Sequence, residues 1–125
     1  MYQIDNQSRQ AVYEQIVQQV ERYVLTGVLK GGDKVPSVRS MSLQLGVNPN
    51  TVQRAYTELE RGGVLITAPG RGAFVSEEGV KLLGERRREM SLTELKHLLA
   101  ELRLAGMEKS EVLQFIEDAY QEANQ

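Results

Sequence analysis

The chain of 125 residues contains no cysteine, which excludes disulfides, thiolate zinc sites and cysteine nucleophiles together. It has one histidine, His97, too few for a histidine-rich metal centre or for a Ser-His-Asp triad centred elsewhere. Amid scattered acids, His97 reads as a surface or interface residue rather than a metal ligand. No apolar run approaches the roughly 18 residues needed to span a bilayer. The opening Met1-Tyr2-Gln3-Ile4-Asp5 is polar and acidic, without the basic and apolar regions of a signal peptide. The expectation is a cytoplasmic protein with no membrane partner. Also missing are a phosphate loop, a metal triad, a nucleophile–base pair and a paired-carboxylate cleft. An enzyme is therefore not expected, and no metal or cofactor is implied. Glu108 and Glu111 read more simply as acids at a helix N-terminus.

Apolar residues make up 41% of the chain. At this size such a core is only modestly stabilising, so oligomerisation is expected. The net charge of −2 is unevenly spread. Residues 1–76 hold eight Lys/Arg against six Asp/Glu, whereas residues 77–125 hold seven against eleven. The two parts have the electrostatic characters of a binding module and a partner module.

Helical spacing of Val12, Ile16, Val20, Tyr23 and Val24 predicts a helix from about Arg9 to Thr26, with Ser8 as N-cap and Gly27 as stop. Ser37 then caps a short helix carrying Val38, Met41 and Leu45, which Gly46 ends. Asn48 caps another, with Pro49 at the first helical position, where its missing N–H costs nothing. On this helix Val52, Ala55, Tyr56 and Leu59 share one face, and Asn50, Gln53, Arg54 and Thr57 the other. Val64-Leu65-Ile66-Thr67 and Ala73-Phe74-Val75 flank a turn-rich loop and predict a β-hairpin. From Glu77 the pattern is helical again. Leu92, Leu95, Leu99 and Leu102 form a stripe with Leu98 beside it. After a break at Gly106, Val112, Phe115, Ile116, Ala119 and Tyr120 mark a last amphipathic helix.

Two short helices joined by Gly46-Val47 suggest a helix-turn-helix. A helix about 10 Å wide must enter a major groove about 12 Å wide, presenting hydrogen-bonding residues near its N-terminus. Asn50, Thr51, Gln53 and Arg54 meet that demand. Thr51 lies in the first turn, where free amides approach phosphate. Gln53 matches adenine and Arg54 guanine or phosphate. Taken alone, this face reads equally as a solvated helix surface. The hairpin that follows shifts the balance. Gly70-Arg71-Gly72 sets one long cation between two residues without side chains, a tip suited to the minor groove, though a generic turn with a solvated arginine has the same composition. Arg39 reads either as a surface ion-pair partner or as a DNA contact, and Lys34 as a phosphate contact or a solvated charge.

The ordered segments Val35-Pro36-Ser37-Val38-Arg39, Leu45 through Tyr56, Leu59 through Gly62 and Gly70 through Val75 resemble the winged helix-turn-helix of the GntR family over about residues 9–76. The resemblance implies that Arg39, Thr51, Arg54 and the Gly70–Gly72 tip face DNA, with Ser37 and Asn50. It also implies that Tyr56, Leu59 and Phe74 are core. Ala11, Val35 and Ser42 depart from the residues common in the family. Only 49 residues follow Ser76, too few for an enclosed metabolite pocket or an aminotransferase-like domain. This short tail is similar to that of the YtrA subfamily, in which two C-terminal helices form the dimer.

The resulting expectation is a mainly α protein with a small β-hairpin wing. Residues 1–76 form the DNA-binding winged helix-turn-helix and residues 77–125 a helical dimerisation region. The protein is expected to act as a homodimeric repressor on an inverted-repeat operator of double-stranded DNA. Lys34, Ser37, Arg39, Asn48, Asn50, Thr51, Gln53, Arg54, Gly70, Arg71 and Gly72 would contact DNA. Leu92, Leu95, Leu98, Leu99, Leu102, Val112, Phe115 and Ile116 would join the subunits. Transporter operons are the expectation attached to the subfamily. A small-molecule effector is left open. The alternative is a sequence-tolerant architectural DNA-binding protein. Arg86-Arg87-Arg88, flanked by Glu85 and Glu89, reads as a solvated helix face.

Overall fold

The computed structural model describes residues 1–124, arranged as α1 (Val12–Leu25), α2 (Val38–Leu45), α3 (Pro49–Arg61), β1 (Leu65–Ala68), β2 (Gly72–Val75), α4 (Glu77–Leu104) and α5 (Lys109–Ala123). Two compact units result, one spanning Met1–Arg86 and a second from Arg87 onward. No described helix is long and apolar enough to cross a membrane.

The first unit is built around α3. Its inward face, Val52, Ala55, Tyr56 and Leu59, is buried against Ile16, Val20 and Val24 of α1 and Met41 of α2, with Val35, Val64, Leu65 and Val75 completing the cluster. Each side chain withdrawn from water here contributes roughly 1.5–3 kcal/mol. Ser42 is buried too, and its hydroxyl donates to the Arg39 carbonyl at 2.8 Å, so the polar atom is satisfied inside the helix.

α1 begins at Val12, later than the start at Arg9 expected from sequence, and its N-cap is Ala11, without a side-chain cap. Ser8 lies outside the helix and does not cap it; its hydroxyl accepts from the Gln10 amide at 3.1 Å and closes a local turn. The segment before α1 is held by the helix itself. Gln15, Gln19 and Tyr23 recur every fourth residue on one face and bond the backbone of Asp5, Gln3 and Met1 respectively. Alternation along this extended arm then turns Tyr2 into the core and packs Ile4 against it.

The hairpin is antiparallel, with Leu65 opposite Val75, Ile66 opposite Phe74, Thr67 opposite Ala73 and Ala68 opposite Gly72. The free edge of β2 is covered by the preceding loop. Lys34 forms an antiparallel bridge to Phe74, flanked by Val35 N–H to the Ala73 carbonyl at 3.0 Å and Val75 N–H to the Asp33 carbonyl at 2.8 Å. Strand alternation sends Ala73 and Val75 inward and leaves Phe74 half-buried, so Phe74 is not the core residue that the family resemblance implies. Tyr56 and Leu59 are core.

The first compact unit extends past residue 76 because the start of α4 docks into it. Ser76 is buried and caps the helix, its hydroxyl accepting from the Gly79 amide at 3.1 Å. Val80 packs against the core and Leu83 is buried in it.

In the second unit α5 buries none of its residues. Leu92, Leu95, Leu98 and Leu102 of α4 and Phe115 of α5 are exposed in the single chain, while Leu99, Val112 and Ile116 are half-buried. Leu99, Val112 and Ile116 line an open, largely apolar groove of about 720 Å³ together with Met107 and Leu113. The Glu111 carboxylate accepts from the Glu108 amide at 3.2 Å, the N-terminal acid role expected of this pair.

Candidate nucleic-acid interface

The two short helices and their turn follow from local chemistry. The Ser37 hydroxyl accepts from the Ser40 amide at 3.0 Å and opens α2. Gly46 closes it in the left-handed conformation at φ 67°, which a residue with a side chain adopts only under strain. The Asn48 side-chain oxygen accepts from the Asn50 amide at 2.8 Å, and Pro49 occupies the first turn of α3. These caps consume the acceptor atoms used. Ser37 and Asn48 retain their O–H and NH₂ donors, which suit phosphate oxygens.

Asn50, Gln53, Arg54 and Thr57 are exposed along the outer face of α3, and Thr51 is half-buried. The Gln53 amide reaches Thr57 Oγ1 at 3.3 Å, one turn further along the helix. The Arg54 guanidinium lies 3.8 Å from the centroid of the Tyr13 ring of α1. Arg39 is exposed at the start of α2.

The wing tip is closed by the Arg71 amide donating to the Ala68 carbonyl at 2.9 Å, with Gly70 at φ 76° and Gly72 at φ 110°. Both glycines are required by these angles. A side chain at Gly72 would also meet the Lys34 stem, since a Cβ there would lie 2.9 Å from Lys34 Cε. The Lys34 side chain thus reaches Gly72 beside the tip of the wing, and Arg71 extends exposed from that tip. Among the described residues, Arg61 is ion-paired, with Glu58 at 2.9 Å, whereas Lys34, Arg39, Arg54 and Arg71 have no carboxylate partner. An unneutralised cation keeps its full attraction for an anion.

Residues 12–75 match the bacterial regulatory proteins of the gntR family. The chain is 42% identical over 118 residues to the HTH-type transcriptional repressor YtrA of Bacillus subtilis, covering 94% of this chain and 91% of that protein. The chain belongs to the GntR family. It is also 36% identical to the HTH-type transcriptional regulator YhcF of Bacillus subtilis, over 90% of this chain and 94% of that one. A solved transcriptional regulator from Oenococcus oeni superposes with a TM-score of 0.78 at 32% identity, covering 94% of this chain and 97% of that structure. Like its relatives, this GntR protein is a DNA-binding transcription regulator and not an enzyme, and its likeness to YtrA runs through the C-terminal helices as well as the winged domain.

Two features of this GntR fold escape sequence reading. Tyr13 lies within the periodic stretch of α1, but nothing in the spacing shows that its ring underlies Arg54. The Tyr56 hydroxyl donates to the Pro36 carbonyl at 2.5 Å, which ties α3 to the entry of α2. Burial, and secondarily the nearby Tyr2 phenol, push the pKa of Tyr56 well above its ordinary value, so it stays a neutral donor.

Proposed function

We propose that this regulator binds an inverted-repeat operator as a homodimer and represses transcription from it. α3 lies in the major groove, with Arg39, Gln53 and Arg54 reading bases. Ser37, Asn48, Asn50, Thr51 and Lys34 contact the phosphate backbone, and Arg71, carried by Gly70 and Gly72, enters the minor groove. The observation that carries this reading is the capped, exposed outer face of α3 with its Arg54, together with Lys34, Arg39 and Arg71, none of which has a carboxylate partner among the described residues.

The exposed leucines of α4, with Leu99, Val112, Phe115 and Ile116, join two copies across a two-fold axis. An apolar stripe this long in an otherwise charged helix is costly to leave in water. Pairing through residues 77–125 sets the recognition helices roughly 34–36 Å apart, in successive major grooves. The protein acts in the cytoplasm, and its resemblance to the short YtrA-like subfamily points to a transporter operon as its target.

The test is footprinting upstream of the protein's own gene, followed by gel-shift titration of Arg39→Ala. A regulator protects one short palindrome, and loss of Arg39 costs about 1–3 kcal/mol and relaxes base preference. Broad protection would show an architectural binder instead, and an Arg39→Ala titration matching wild type would remove Arg39 from base readout.

A further inference from the structure

Resting on the reading that Arg54 faces DNA, we propose that Tyr13 is a positioning residue for DNA recognition: its ring holds the Arg54 guanidinium flat and aims the N–H edge at a bidentate acceptor, a guanine edge in the major groove. Tyr13 makes no base contact in this scheme and acts through Arg54 alone.

The guanidinium carbon lies over the Tyr13 ring, 3.8 Å from its centroid, well within cation–π range and close enough for the two planes to stack. The ring is itself anchored, because Tyr13 is half-buried and packs on the core. α1 and α3 are joined beneath it through Ile16, Val20, Val52 and Ala55. Ring and arginine therefore share one rigid scaffold. Stacking occupies the face of a guanidinium and leaves its five N–H donors, which lie in the plane, available at the rim. No carboxylate competes for them among the described residues. A free arginine in water loses much rotamer freedom when it docks on a base, and one already stacked has lost part of it. The opposite arrangement is equally definite in its consequence. If the ring sequesters Arg54, the arginine must leave it to reach DNA, and removing the ring strengthens binding.

The probe is a short duplex selected by the wild-type, full-length protein from a randomised pool. Tyr13→Leu is expected to weaken binding roughly two- to fivefold and to relax preference at one base pair per half-site, while Tyr13→Phe, which keeps the ring, binds like wild type. In an Arg54→Ala background Tyr13→Leu should have no further effect. If Arg54→Ala alone binds like wild type, the assignment of Arg54 to DNA fails. If Arg54→Ala weakens binding but Tyr13→Leu acts equally in both backgrounds, or strengthens binding, the positioning role fails. A measurement on the unmutated protein guards against a variant that does not fold. The ring-current shift of the Arg54 side-chain resonances should persist in the complex, and its loss on adding the duplex would overturn the proposal.

Discussion

The Tyr56 hydroxyl donates to the Pro36 carbonyl over 2.5 Å, joining the middle of α3 to the residue before the Ser37 cap. Tyr56→Phe leaves that carbonyl unpaired and should cost about 1 kcal/mol. The phenol also gives the fold a pH limit. Its folded pKa is raised above the ordinary value of 10.0, first by burial and then by Tyr2. The stabilisation is therefore fully present below about pH 10 and lost as pH rises further, while the unfolded phenol ionises and the folded one resists. Urea titrations at pH about 8 and about 11 should show this fall, and Tyr56→Phe should make it shallower. An unchanged slope would mean that Tyr56 is not its source.

Gly79 is fixed by contact rather than by conformation. A Cβ there would lie 2.0 Å from the Gly63 carbonyl oxygen and 2.8 Å from Val64 Cα. Backbone cannot yield as a flexible side chain can, so Gly79→Ala should destabilise the first unit by about 1–3 kcal/mol, although alanine is the better helix former. Thermal denaturation decides the sign, and a rise in Tm would refute the close approach.

Gln15 is buried, accepting from the Asp5 amide at 2.9 Å and donating to the carbonyls of Asp5 and Gln10 at 3.1 Å each. Gln15→Leu keeps the bulk and removes all three bonds. It should cost about 1–3 kcal/mol and release the arm. Hydrogen exchange at the Asp5 amide should speed up selectively, and unchanged protection there would show that the arm is held by other means.

Arg71 stands exposed at the wing tip, without a carboxylate partner among the described residues. Arg71→Ala should leave the melting temperature unchanged, weaken operator binding, and lower the magnitude of the log K versus log salt slope by about one. Fluorescence anisotropy across a salt series measures both. An unaltered slope would take Arg71 off the DNA.

Leu95 and Leu102 are exposed on α4, so charged substitutions there threaten no interior packing of the single chain. If these leucines join two copies as proposed, Leu95→Asp with Leu102→Asp should forfeit roughly 1.5–3 kcal/mol per side chain buried between the copies and yield monomers whose winged domain stays folded. Sedimentation equilibrium and circular dichroism test this together. A double variant that remains dimeric would place the subunit contact elsewhere.

The sequence by itself determined those features that close within a few residues. Ser37 and Asn48-Pro49 begin their helices, Gly46 ends one, and Gly70 and Gly72 shape the wing, because each cap or turn is completed by backbone atoms two to four positions away. Periodicity likewise assigned the core face of α3 and, by subtraction, its polar face. Tertiary structure alone decided which distant groups meet. It set Tyr13 under Arg54 and Gln15 on the arm, brought Gly79 against Gly63, and turned Phe74 partly outward. The start of α1 at Val12 rather than Arg9 is by contrast a local matter, with Ser8 closing a turn at Gln10 outside the helix. The distant pairings depend on how helices pack and strands register, and no periodicity along one segment encodes the side chain waiting on another.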